Sequence, residues 1–600
     1  MPWSPARLAL FAVLATVTAQ VAAQPVFPRP LAGSPKPAAE LGDDKALAAA
    51  KLDPADGNAL RDYIKQRTLS DKDLARIQEV IRRLGSDDFA ARLAAEAEVA
   101  RFGPAAVAPL RKAATVDAAN VKGADFEVAY RADLVLRRVE TVPHAAVALA
   151  VVRSLGVRPH PDNALVLLNY LPVCDTPAVA DAIRAALTAQ AVRAGKADPA
   201  LVAALTDAHP LKRTAAALAL VEGGPAGARV RIPDAYPKVQ AAVKVEADPD
   251  ARFQMLFALA ATAGDREAVG HLVASLAALT HGRLWQAEDY LLQLAGPTAP
   301  KATFGKSAAA KAQAQQAWVE WWAKHGATLD PGQFTYAPRT TGRLIVVVPM
   351  RSGQGGYVAE LGPDLAEVWR MTNLQSPFDA RIRPDGTIAV AEYDAMHISI
   401  RDSQGTRLNA LRVAGDRGQR QPHQPIQVQL LPDDGMLVVC KNAVVEYTKD
   451  KAGKEAWKQV YARANNYDIA SAARLPNGET AILVQNGPTY LIFVDKAGKE
   501  IAGRKPAVGP PYYQADIEPV GPDRLLVTEA NQVVEYDLTD GKAKWQYQAT
   551  HIRCVQRLPN GNTLLVDADR NRLVEVSPAK EEVWDYTPPA GQQLLRAYRR

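Results

Sequence analysis

The spacing of apolar residues changes character near the middle of the chain. From 51 to 296 they recur every three or four positions, as amphipathic helices require. From 335 to 600 they gather in short runs divided by Pro, Gly, Asn and Asp, as strands joined by tight turns do. In the first half, "DPALVAALTDAHPLKRTAAALALVEGG" (198–224) predicts a helix, a break at His209–Pro210 and a second helix ended by Gly223–Gly224. "YPKVQAAVKVEADPDARFQMLFALAATAG" (236–264) predicts the same plan, with Asp248–Pro249 opening the second helix and Gly264 closing it. Arg213 and Arg252 hold matching first-turn positions 39 residues apart. Upstream, "LGSDDFAARLAAEAEVARFGPAAVAPL" (84–110) predicts a helix capped by Ser86/Asp87 and stopped at Gly103–Pro104.

The strand runs of the second half share a marker valine: Val346, Val390, Val439, Val484, Val527 and Val566, at steps of 39 to 49 residues. Turns precede most of them, among them Pro384-Asp385-Gly386, Pro476-Asn477-Gly478 and Pro559-Asn560-Gly561. A further strand follows, twice in the form Asn-x-Val-Val-Glu-Tyr (442–447 and 531–536). A tryptophan then recurs: Trp457, Trp545 and Trp584 each lie 18 residues past their markers, and Trp369 lies 23 past Val346. Four strands per unit at this period predict propeller blades, with each outer-strand Trp packing against the next blade. Leu408 and Ile501–Ala502 replace the Trp in the second and fourth units, which predicts looser packing there.

The helical stretches resemble HEAT-type repeats, with an irregular helical bundle as the alternative. "EYDLTDGKAKWQY" (535–547) resembles the tryptophan-docking repeat of quinoprotein-type propellers, and the wider unit resembles the PQQ-like, arylsulfotransferase-like superfamily. These resemblances imply a multidomain α + β chain, an α-solenoid (HEAT-like) followed by a six-bladed β-propeller. They do not carry an activity with them. Quinone-dependent dehydrogenases of the related superfamily generally have more blades and metal ligands, so no cofactor is expected.

The expected organisation is a signal peptide over 1–23, a Pro/Ala-rich linker over 24–50, the helical repeats over 51–296, a junction over 297–334 and the propeller over 335–600. The junction carries Trp318, Trp321 and Trp322 at helical spacing, read as an anchor packing its helix onto a domain. The first blade lacks an inner strand, while "QQLLRAYRR" (592–600) ends where another would begin. Lending that strand to the first blade closes the ring and removes two exposed edges.

Composition narrows the function classes. Arg7, the apolar stretch Leu8–Ala19 and the small residues Val21-Ala22-Ala23 read as a secretory signal cut before Gln24, rather than as a membrane anchor. Export makes the expected partners a protein or an extracellular polymer. A net charge of +6 over 600 residues, with no basic block, gives no nucleic-acid footprint. The three cysteines, Cys174, Cys440 and Cys554, are widely spaced and are expected as buried free thiols. No metal is expected, because the nine histidines show no ligand spacing.

The loops leading into the inner strands are polar and aromatic and should gather at one mouth of the propeller. Candidate ligand-binding residues there are Asp379, Arg381, His423, Asn466, Tyr513, His551 and Arg553, with Asp468 and Asp516 beside them. No catalytic residue is assigned. The expected function is an exported, non-catalytic binding or scaffold protein, with an arylsulfotransferase-like or quinoprotein-type enzyme as the alternative. A transfer enzyme would need the imidazoles and guanidinium groups to converge on one pocket.

Overall fold

The computed structural model describes residues 40–600 except 115–123, 140–143, 175, 194, 224–231, 350–355, 404, 414–422, 450–454, 463–467, 486–489, 504–505 and 590. The expected signal peptide lies outside the described residues. Helices occupy the chain from Glu40 to His325. The first, Glu40–Ala49, corrects the expected linker. Its Leu47 is buried, and Asp43 pairs with Arg153 at 3.0 Å on the helix His144–Gly156, so the end of the Pro/Ala-rich stretch belongs to the helical core.

Two apolar cores divide these helices. Asp71–Arg83, Phe89–Ala100, Val107–Ala114 and Ala124–Val139 share one of their own, built on Ile77, Leu84, Val99, Leu110 and Val135. Asp88, rather than Ser86 or Asp87, caps the second of them, its carboxylate accepting from Ala90 N. The larger core runs from Leu47 to Trp321. The helix pair expected over 198–224 is Pro199–Ala204 and Pro210–Glu222, the second capped by the His209 ring. Asp248 caps Pro249–Ala261. Trp318 and Trp321 of Ala308–His325 are buried in this larger core, edge to face at 5.4 Å, so the Trp stripe is an anchor and its helix part of the helical body.

Six small antiparallel sheets follow as the blades of a propeller. The second blade is Pro377–Ile382, Ile388–Glu392, His397–Arg401 and Arg407–Arg412. The third is Pro425–Leu430, Met436–Cys440, Ala443–Lys449 and Glu455–Ala462. The fifth runs from Ile517 to Gln548 and the sixth from Ile552 to Tyr586. In the first blade the C-terminal strand Arg596–Arg599 pairs antiparallel with Leu344–Val348, joining the two ends of the propeller in one sheet. Thr341 N also donates to the Arg600 carbonyl, and Leu595 N to that of Val347 at 2.9 Å. The fourth blade departs from the four-strand plan: it holds Ile469–Arg474, Thr480–Val484 and Leu491–Val494, with only a Val494–Glu500 bridge beyond. The turn at Gly498 and the Gly503 and Pro506 that follow give the next stretch no alternating apolar face to pair.

Three of the four tryptophans dock at the seam with the next blade. Trp369 packs between the first and second blades. Trp545 lies between the fifth and sixth, donating to the Pro578 carbonyl at 3.1 Å beneath the Arg557 guanidinium. Trp457 departs from the expected docking on the next blade: it stands edge-on to Tyr447 of its own blade, in the cluster shared by the second and third blades. Trp584 lies at the seam of the sixth and first blades beneath the Arg599 guanidinium, and it also stacks on His281, 4.8 Å between centroids and nearly parallel.

That contact belongs to the joint between the two halves. The helix His281–Ala295 lies on the seam of the sixth and first blades. His281 and Trp285 both reach Glu575, and Arg599 completes the pair from the C-terminal strand. Gly282 permits the approach: a Cβ there would stand 2.3 Å from Pro363. The Pro559–Gly561 turn meets the same helix through Asn560 and Glu288. Inner strands run from the mouth toward such turns, so the helical part sits on the face opposite the mouth.

Two stability outcomes follow. Deleting 592–600 should open the ring and expose two unpaired edges. The expected result is aggregation and a Tm lower by several degrees; a truncation that melts like the full chain rejects closure by this strand. Trp545→Ala should cost about 2–3 kcal/mol in denaturant unfolding, since that ring is only partly exposed. Leu408→Ala, at an exposed position, should stay within about 0.5 kcal/mol.

Candidate functional site at the propeller mouth

Each inner strand pairs with its own blade on one side only. Its other edge faces the channel, where backbone N–H groups need acceptors. The same strand position supplies them around the ring. Asp379 accepts from Val428 N of the next blade at 2.9 Å. Gln427 accepts from Ala472 N, Ser471 from Ile517 N, and Asp516 from Val555 N, each within 3.2–3.4 Å. The C-terminal strand ties into this girdle from both sides: Tyr598 donates to Asp379 at 2.8 Å and Arg596 pairs with Asp516 at 3.1 Å. Arg381 lies 3.3 Å above the Tyr598 ring. All of these groups but the half-buried Arg381 are buried, and each charge meets an opposite one, which is the condition for keeping ions out of water.

A second tier lies one pleat further down. Gln429 grips both Arg474 N and O, and Gln556 grips Arg599 N and O in the same way. At the corresponding place the fifth blade has Glu518, which accepts from Arg557 N at 2.5 Å. Burial pushes its carboxyl up to about 8, with the Asp516 charge adding to the effect. It is therefore held protonated, as a stand-in for the glutamines.

Above the girdle is an open recess. Phe378, Ile426, Ile469 and Leu595 give it apolar walls; Lys441, Asp468, Gln485, Tyr513 and Gln514 ring it, and Arg596 forms part of the floor. Aromatic pairs stiffen the rim: Phe378 stacks on Tyr393 at 4.7 Å and Tyr512 on His551 at 4.1 Å.

The candidate residues separate on this geometry. Tyr513 lines the recess, as does Asp468. Asp379, Arg381 and Asp516 lie beneath it in the girdle, where they are structural. His551 is held by Asp569 at 2.5 Å on the rim, Arg553 donates to the Leu594 carbonyl at 3.2 Å, and His423 is buried. None of His423, His551, Arg381 and Arg553 lines the recess. Asn466 lies outside the described residues. Reading the sequence missed Lys441, which follows a second strand rather than leading into an inner one, and Arg596, which enters with the closing strand. It also missed the recurrence of Asp379, Gln427, Ser471 and Asp516, a polar residue at the blade period in or just before four inner strands.

Residues 441–596 match the family model described as outer membrane protein assembly factor BamB. The second half is a PQQ-like β-propeller. No curated protein matches the chain. Among solved structures, a protein of unknown function from Bacteroides caccae is 14% identical with a TM-score of 0.34, covering 42% of this chain and 97% of that one. Streptogramin B lyase is 14% identical with a TM-score of 0.29, covering 36% and 70%. Virginiamycin B lyase from Staphylococcus aureus is 13% identical with a TM-score of 0.29, covering 36% and 71%. No helix among the described residues is long and apolar enough to cross a membrane.

Glu518 gives a pH signature. Its folded value lies above the ordinary 4.5, so its contribution is complete below that pH and lost as pH rises through about 8. Stability should fall by on the order of 2 kcal/mol across that window, the full shift being discounted because the side chain is partly exposed. Glu518→Gln should remove this slope and keep the fold. An unchanged slope in urea titrations of the variant from pH 5 to 9 rejects the assignment.

Proposed function

We propose that this chain is an exported binding or scaffold protein, with the propeller mouth as one binding surface and the helical half as another. The observation that carries the reading is the recess itself, an apolar pocket rimmed by aromatic and amide groups over a channel filled with mutually satisfied side chains. The imidazoles and guanidinium groups that a transfer reaction would use are engaged elsewhere, which favours binding over chemistry. The helical half is read as a HEAT-like array. In its support, Pro177–Ala189, Pro210–Glu222, Pro249–Ala261 and Arg266–Ser275 pack in succession, and Arg213 and Arg252 keep their 39-residue spacing. Export rests on the leader-like first 23 residues. The ligand class is a protein segment or a carbohydrate polymer.

The test is an array of peptides and extracellular polysaccharides probed with the purified full chain and with Tyr513→Ala. A defined subset should bind the wild type and be lost in the variant at unchanged Tm. Binding of no probe, or turnover of an aryl sulfate or alcohol substrate, overturns the reading.

A further inference from the structure

Two of the cations at and beneath the mouth have a carboxylate: Arg596 has Asp516 and Arg381 has Asp379. Lys441 differs. It is half-buried at the rim and, among the described residues, makes no ion pair. Its Nζ lies 5.5 Å from the Tyr393 ring centroid and 5.7 Å from that of Tyr513. Burial works against its charge, yet the two tyrosines more than offset this and hold the ammonium protonated. The recess wall therefore carries a charged ammonium to which no carboxylate is bound among the described residues, and an anionic group arriving with a ligand can pair with it.

The walls define what accompanies that counter-ion. Phe378, Ile426, Ile469 and Leu595 offer apolar surface directly beside Lys441, and the girdle closes the floor. We propose that the recess takes a ligand presenting a carboxylate next to an apolar side chain, the carboxylate on Lys441 Nζ and the side chain between Phe378, Ile426 and Leu595. The C-terminal residue of a polypeptide has this chemistry, and so does a small free acid of the same shape. This inference rests on reading the mouth as a binding site and narrows that reading to one ligand class.

Calorimetry on the full chain tests it with three probes: a pentapeptide ending in leucine with a free carboxylate, the same peptide as its C-terminal amide, and N-acetyl-leucine. The free acid should bind about tenfold more tightly than the amide, as a charge-assisted contact implies. Lys441→Met should lose that preference at unchanged Tm, and Lys441→Arg should keep most of it. Binding of N-acetyl-leucine along with the peptide supports recognition of the terminal residue alone; binding of the peptide only supports a polypeptide terminus. Equal binding of acid and amide, no binding of any probe, or a Lys441→Met variant like the wild type overturns the proposal. If the array still finds ligands that depend on Tyr513, the binding-site reading survives that outcome.

Discussion

The inner edge of each blade is the constraint on which the rest of the propeller depends. A strand facing a narrow channel leaves backbone N–H groups that no further strand can satisfy, and an unsatisfied buried group costs about 1–3 kcal/mol. The acceptors come from the preceding blade, through Asp379, Gln427, Ser471 and Asp516. Each blade therefore completes its neighbour, and the girdle is complete only when the C-terminal strand brings Arg596 and Tyr598 into the centre. Filling the channel this way confines the ligand surface to the recess above it.

The same reciprocity holds further out. Glu446, Glu535 and Glu575 stand on third strands, and each meets an arginine at the end of the next blade's inner strand: Arg474, Arg557 and Arg599. At the seam of the ring this pairing is shared with the helical half, since Glu575 also takes His281 and Trp285. His281, Arg599 and the Asn562 amide hold the Glu575 carboxyl down to about 2 against the opposing effect of burial. One carboxylate thus joins ring closure to the docking of the other half of the chain.

The blade count, the marker strands and the docking tryptophans were legible in the sequence because each depends on local periodicity. Turn chemistry at Pro559-Asn560-Gly561 and the placement of Trp545 both act within some twenty residues of the strands they organise. The candidate site was legible only in part. Tyr513 and Asp468 reach the recess, but Asp379 and Arg381 are drawn below it by Tyr598, a residue more than two hundred positions away. The leading loops of the inner strands do reach the mouth; which of their side chains rise and which turn into the channel depends on bulges such as that between Pro377 and Asp379.

Apolar period and turn residues alone decided that this chain has a helical half and a six-fold repeat of strands, because both patterns are properties of consecutive residues. Tertiary structure alone decided that the fourth blade has three strands among the described residues, that Trp584 stacks on His281 as well as packing at the seam of its blade, and that Lys441 stands beside the recess between Tyr393 and Tyr513. Those outcomes depend on which segments distant in the chain share a seam, and the sequence pattern carries no distance across the ring.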